Sequence, residues 1–199
     1  TIDGSIDTLY GSAKASDSAS DGNGNDVMDL KDLYLYSDSD YFYVAFTIDG
    51  DISGTNNWGK YALYIDTNNT NDSGATVDAW GRKVTANNPH RPEYAVYTWV
   101  NETYGNTKTN FYSWNGSAWS TSSNINAAAL TTGTTSIIEW KISRTSIGSP
   151  SQIWVEIWST GGTATDNAQD TINNPAEDWN ATDWTTTSDL DCSTSYTLF

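Results

Sequence analysis

The chain lacks most of what redox, metal-cluster or nucleic-acid proteins need. Its single cysteine, Cys192, excludes an internal disulfide. Near the C-terminus it reads as a small packing residue rather than a reactive thiol. Its single histidine, His90, cannot build a multi-histidine metal centre. Nine Lys and Arg face twenty-five Asp and Glu, a formal charge of −16. Phosphate binding needs a basic face, so nucleic acid is excluded as a partner. The same deficit argues against an anionic membrane surface, and no apolar run approaches the roughly 20 residues of a membrane-spanning helix. There is no nucleophile elbow, no Gly-rich phosphate loop and no HExxH. No amphipathic helical stretch of convincing length occurs, nor any repeat of fixed period. No signal peptide is visible, and the abrupt start at Thr1-Ile2-Asp3-Gly4 reads as that of an excised module.

What remains is skewed towards aromatic and turn-forming residues. Ten Trp and twelve Tyr stand beside four Phe and four Pro. Thr, Ser, Asn and Asp dominate the remainder. Aromatic and β-branched residues suit pleated, half-buried surfaces, and Asn, Asp, Gly and Ser build turns. The composition predicts an all-β fold. A length of 199 residues predicts a single domain, 1–199, with enough chain to bury a full core. The Cys-poor, Ser/Thr/Asn-rich composition predicts a secreted or cell-surface, extracellular protein.

Alternation places the strands. Leu30–Tyr36 and Tyr41–Ile48 read as a hairpin turned at 37–40, with Leu33, Leu35, Phe42, Val44, Phe46 and Ile48 facing the core. Tyr61–Ile65 and Glu93–Val100 follow. Asn115-Gly116 is a hairpin dipeptide between 110–114 and 118–120. In 137–143, Ile138, Trp140 and Ile142 point inward, and Glu139 and Lys141 outward. In 153–158, Ile153, Val155 and Ile157 point inward, leaving Trp154, Glu156 and Trp158 on the opposite face. Ile2, Ile6 and Leu9 are expected to anchor an opening segment, and Tyr196–Phe199 to form a closing strand. Many short strands with regular turn signals predict an antiparallel β-sandwich.

Two loops carry oxygen ligands at alternate positions. In Asp66–Gly74 these are Asp66, Asn68, Thr70 and Asp72. In the second loop they are Asp21, Asn23 and Asn25, with Asp26 close by. Hard cations such as Ca²⁺ take six to eight oxygen ligands, and a curled loop can supply several. The Asp66 loop is not an EF-hand, because the Gly is misplaced and no Glu follows at the twelfth position. Without a cation, both read as polar turns.

A strand face bearing Trp and Tyr but few aliphatics makes a sugar platform, because apolar C–H faces of pyranose rings stack on aromatic rings. Trp154 and Trp158 share one face roughly 13 Å apart, and Tyr97 and Trp99 form a similar pair. Trp80, Arg82, Arg91 and His90, with Glu93, are expected at the edge of that platform, and Trp58 on the loop before 60. Arg offers a planar fork for hydroxyls or a carboxylate. The competing reading covers this face with loops as a second core layer. Catalytic signals are weak: Glu139 and Glu156 are the candidates for a facing acid pair.

The order Ile2-Asp-Gly4, Asp21-Gly-Asn-Gly-Asn25, Leu33-Tyr-Leu-Tyr36 and Asp40-Tyr-Phe-Tyr-Val-Ala45 resembles the opening of DOMON-like sandwiches of the carbohydrate-binding-module family 9 type. Trp58-Gly-Lys-Tyr61, Tyr64-Ile-Asp66, Asp78-Ala-Trp-Gly-Arg82, His90-Arg-Pro-Glu-Tyr94 and Trp114-Asn-Gly116 are similar to non-catalytic modules of amylopullulanases and glucodextranases. The likeness runs to about Trp158 and is fainter in the tail. It implies a jelly-roll or immunoglobulin-like sandwich, structural Ca²⁺ at the Asp66 and Asp21 loops, and aromatic sugar binding without catalysis. It further implies a starch-type α-glucan partner and a covalently attached catalytic domain. The alternatives are a structural, S-layer-associated sandwich, a module for plant cell-wall β-glycans, or a small glycosidase or lyase.

Overall fold

The computed structural model describes residues 1–18, 25–53, 59–87, 89–100, 104–105, 108–172, 184 and 186–199. The chain is all-β, two antiparallel sheets packed as a sandwich. One sheet orders β1 (Ala15–Ser16), β2 (Leu30–Ser37), β3 (Tyr41–Ile48), β10 (Ser136–Ser143) and β9 (Ala127–Thr131) side by side. The other runs β12 (Ala168–Thr171), β11 (Gln152–Thr160), β4 (Lys60–Asp66), β6 (Tyr94–Trp99), β7 (Thr109–Ser113) and β8 (Ser123–Asn124). β14 (Thr194–Thr197) pairs with the first half of β11, on the edge whose second half takes β12. A separate parallel pair joins β5 (Val84–Ala86) to β13 (Ser188–Leu190). Helical structure among the described residues is limited to short 3-10 turns such as Thr8–Tyr10 and Arg144–Ile147.

The alternation read from the sequence sets the core. Leu33, Leu35, Phe42, Val44, Phe46 and Ile48 from one sheet meet Leu63, Ile65, Val96, Ile153, Val155 and Ile157 from the other, all buried. Trp140 lies at the centre, edge-on to Phe46 at 5.0 Å, and its indole N–H donates to the Tyr104 hydroxyl at 2.8 Å. Each such side chain contributes about 1.5–3 kcal/mol by leaving water. The closing strand falls at Thr194–Thr197, two residues earlier than expected, and buries Leu198 beyond its end.

The opening segment differs from expectation. Leu9 is 63% exposed, and the buried anchor is its neighbour Tyr10. The reason lies in Glu139, which points outward from its sheet as the alternation requires yet is only 1% exposed. One carboxylate oxygen accepts the backbone N–H groups of Asp3 and Gly4 at 2.9 and 3.0 Å. The other accepts the Tyr10 hydroxyl at 2.9 Å. The segment is thus latched across the outer face. Gly4 permits the approach: its φ is +80°, and a Cβ there would lie 2.7 Å from the backbone of Leu130 and Thr131.

Glu139→Ala should therefore lower stability by about 1–3 kcal/mol in urea unfolding and open residues 1–10 to protease, because buried donors lose their acceptor. Retained stability and protection would show that the segment docks without the carboxylate.

Candidate functional site

The outer face of the larger sheet holds most of the aromatic residues singled out above. It is not uniformly open. The β5–β13 pair and residues 75–87 and 89–92 roof its middle, where Tyr64, Tyr97, Trp158, Val84, Leu190 and Cys192 form a second apolar cluster. Tyr97 and Trp158 are both 0% exposed. Trp158 packs edge-on against Tyr64 at 5.3 Å and Tyr97 at 5.9 Å. These two residues are therefore core rather than sugar platform, because the roof removes them from solvent.

Asp78 fastens the roof to the sheet. One of its oxygens accepts the hydroxyls of Tyr64, at 2.8 Å, and of Tyr97. The other accepts the backbone N–H groups of Trp80 and Arg82 at 2.9 and 2.8 Å. Burial pushes the Asp78 carboxyl up, against the pull of these hydrogen bonds. Burial likewise pushes both phenols far up, with the Asp78 charge adding to it.

At the β6–β7 side of the roof the aromatics come out into partial exposure. Trp80 stacks on Tyr97 at 4.5 Å and 23°, and tilts towards Trp99 at 5.9 Å. Its indole N–H donates to the Tyr112 hydroxyl at 2.9 Å. Trp80, Trp99 and Tyr112 are all half-buried. The Arg82 guanidinium lies 5.6 Å from the Trp80 ring, and the Lys108 ammonium 5.7 Å from Trp99. Arg82 is 9% exposed, and its Nε has no hydrogen-bond partner among the described residues. Burial draws the Arg82 pKa down, while Asp78 and Asp166 oppose that shift. Lys60 sits opposite Trp99 in register, and burial together with the Arg82 charge lowers its pKa.

The other half of the expected platform lies elsewhere. Trp154 is in register with Asp66, at the far end of β4 from Lys60 and Trp99, roughly 20 Å away at a strand's rise per residue. One of its faces is covered by His90, stacked at 4.7 Å and 18°. Arg91 belongs to this far corner, where it meets Asp72 at 3.4 Å. It does not flank Trp80. Trp58 lies outside the described residues.

The Asp66 loop does not converge as the alternation suggested. Asp66 is 1% exposed, and one of its oxygens accepts the N–H groups of Asn68 and Asn69 at 2.9 and 3.3 Å. Its other oxygen lies 2.7 Å from His90 Nδ1. Thr70 is exposed, and Asp72, exposed as well, meets Arg91. In their place Glu93 approaches, held by Ser73 Oγ at 2.6 Å and Asn68 Nδ2 at 2.8 Å. Burial pushes the Glu93 carboxyl up, and the Asp66 carboxylate beside it adds to the shift. Two neighbouring carboxylates with an amide and a hydroxyl are oxygen donors of the kind Ca²⁺ takes. Among the described residues no group of three His, Cys, Asp or Glu side chains gathers at metal distance, so a cation here would draw on Asn68 and Ser73 as well. In the second loop, Asp21 and Asn23 lie outside the described residues. Asn25 and Asp26 open the 3-10 turn Asp26–Met28, and the Asn25 carbonyl accepts the Met28 N–H at 2.8 Å.

Glu139 and Glu156, the candidates for a facing acid pair, do not face each other: they sit on the outer faces of different sheets. Glu156 is 0% exposed, with one oxygen accepting Ser193 Oγ at 2.8 Å and the other without a hydrogen-bond partner among the described residues. Burial pushes its carboxyl well up. Residues not singled out from sequence include Asp78, Tyr112 and Lys108. Tyr112 and Lys60 were within reach, since alternation from Phe111 and from Leu63 and Ile65 turns them to the outer face of their own strands; Asp78 resembles any other loop aspartate.

Asp78, Glu93, Glu156 and Asp191 all have raised carboxyl pKa values, burial being the leading cause in each. Each holds its proton more tightly folded than unfolded. The stability this confers is complete below the ordinary carboxylate range and is lost as pH rises through the folded value. Tm should accordingly fall between pH 4.5, the ordinary value for Glu156, and neutrality. Glu156→Gln should make that slope shallower; an identical slope would exclude Glu156 as a contributor. No family model, no curated protein and no solved structure matches this chain.

Proposed function

We propose that this chain is a non-catalytic carbohydrate-binding module whose platform is the Trp80–Trp99–Tyr112 corner. The observation that carries the reading is the half-exposed Trp80–Trp99 pair, flanked by Arg82 and Lys108. The exposed part of the two indoles takes the apolar side of a pyranose, and the guanidinium and ammonium beside them reach its hydroxyls. The separation of Glu139 from Glu156 leaves no facing acid pair between those two residues for hydrolysis. The likeness to modules of amylopullulanases and glucodextranases favours a starch-type α-glucan, an extracellular setting and a catalytic domain on the same polypeptide. Ca²⁺ bound by Asp66 and Glu93, with Asn68 and Ser73, would neutralise a carboxylate pair that otherwise repels itself.

Affinity electrophoresis tests the site. Gels containing amylopectin or pullulan should retard the chain with micromolar to millimolar affinity, about −4 to −8 kcal/mol. Trp80→Ala or Trp99→Ala should weaken that at least tenfold, and Trp154→Ala should not. Retardation by xylan or hydroxyethylcellulose instead would move the partner to plant cell-wall glycans. No retardation in any gel, with binding to cell-wall preparations, would favour a structural surface domain.

The metal has its own readout. An ion held only by the folded state stabilises it by about 2.7 kcal/mol at a hundred times its Kd. EDTA should lower Tm, Ca²⁺ should restore it, and Asp66→Ala should remove most of the response. A melt unchanged by prolonged chelation would exclude the ion.

A further inference from the structure

A pocket lies on the outer face of the smaller sheet, on the opposite side of the molecule from the Trp80–Trp99 corner. Its volume is about 130 Å³, and Tyr10, Tyr36, Tyr43, Asp7, Asp38 and Glu139 contribute to its lining. We propose that it binds an organic cation, specifically a quaternary or fully methylated ammonium group.

The walls are arranged for a cation. Tyr36 and Tyr43 lie 5.5 Å apart at 35°, and Tyr10 meets Tyr36 at 6.5 Å and 75°. The three rings line one cavity at different inclinations. A cation within about 6 Å of such a ring centroid is attracted by its quadrupole. Two of the phenols donate to carboxylates: Tyr10 to Glu139 at 2.9 Å and Tyr43 to Asp38 at 2.7 Å. That bond pushes electron density back into each ring and strengthens its attraction for positive charge. The same tyrosine face already holds one cation, since the Lys141 ammonium sits 3.6 Å from the Tyr41 centroid and 5.9 Å from that of Tyr43.

The hydrogen bonds select the kind of cation. Both oxygens of Glu139 are committed, to Tyr10 and to the N–H groups of Asp3 and Gly4. Asp38 accepts from Asp40 N, Tyr41 N and the Tyr43 hydroxyl. Asp7, at the rim, meets the amino group of Thr1 at 3.4 Å. Among the described residues neither Asp38 nor Glu139 has an ion-pair partner within 4 Å, and the Lys141 charge acts on Asp38 from beyond that distance. The carboxylates thus supply negative field but few remaining acceptors. A primary ammonium must replace three hydrogen bonds with water. A quaternary ammonium has no N–H to satisfy and loses little hydration on entering.

Choline, tetramethylammonium and the neutral choline isostere 3,3-dimethylbutan-1-ol separate the outcomes. In NMR titrations of the intact chain, the methyl protons of the two cations should shift upfield through ring currents. The neutral isostere should bind at least tenfold more weakly. Tyr36→Ala should weaken choline at least tenfold, and Asp38→Asn, which keeps the size of the side chain, should weaken it several-fold. Trp99→Ala should leave choline binding unchanged, so failure here is separable from failure of the glycan platform. Equal binding of the neutral isostere would overturn the proposal in favour of a merely apolar pocket. So would undiminished binding in folded Tyr36→Ala protein, or no methyl shift at millimolar choline.

Discussion

The Asp78 carboxylate, buried and accepting four hydrogen bonds, decides what the larger sheet can present to solvent. A buried carboxylate is costly unless its lone pairs are filled. Here they are filled by two phenols of the sheet and two amides of the loop that crosses it. That arrangement ties the 78–82 turn down over Tyr64 and Tyr97. It buries the middle of an aromatic face that would otherwise be open. It also delivers Trp80 and Arg82 to the edge of the covered region, beside Trp99. The candidate platform is therefore the margin of a second core rather than the whole of an aromatic strand face.

The sandwich and its main core were legible because period-two alternation has a direct physical meaning: Phe42, Val44, Phe46 and Ile48 can share only one face of a strand. The Asn115-Gly116 turn was legible for a similar local reason, with Gly116 at φ 95° between the bridged Trp114 and Trp119. Alternation assigned Trp154, Glu156 and Trp158 correctly to the outer face. It could not say what lies above them. The roof depends on Val84–Ala86 pairing with Ser188–Leu190, about a hundred residues later in the chain, and on one loop aspartate among many. Neither leaves a local signature. The same limit explains why Tyr97 and Trp99, adjacent on one face, separate into core and rim.

The Asp66 loop shows a related limit. Alternate oxygen side chains suggest a cation site, but the loop turns so that Asp66 caps its own backbone and Asp72 faces solvent. The partner that does approach, Glu93, lies just before the adjacent strand and was read from the sequence as part of the platform's edge, not as a neighbour of Asp66. Strand register, not loop spacing, places the two carboxylates together. In a chain of charge −16, such a pair persists only where hydrogen bonds or a bound cation offset the repulsion.

The most direct measurement is a titration of the ten indole N–H resonances with maltoheptaose. The account predicts that the Trp80 and Trp99 signals move together along one binding curve, while the buried Trp140 and Trp158 signals stay in place. Movement of the Trp154 signal with Trp80 and Trp99 still would contradict it, and would put the sugar at the Asp66 end of the sheet.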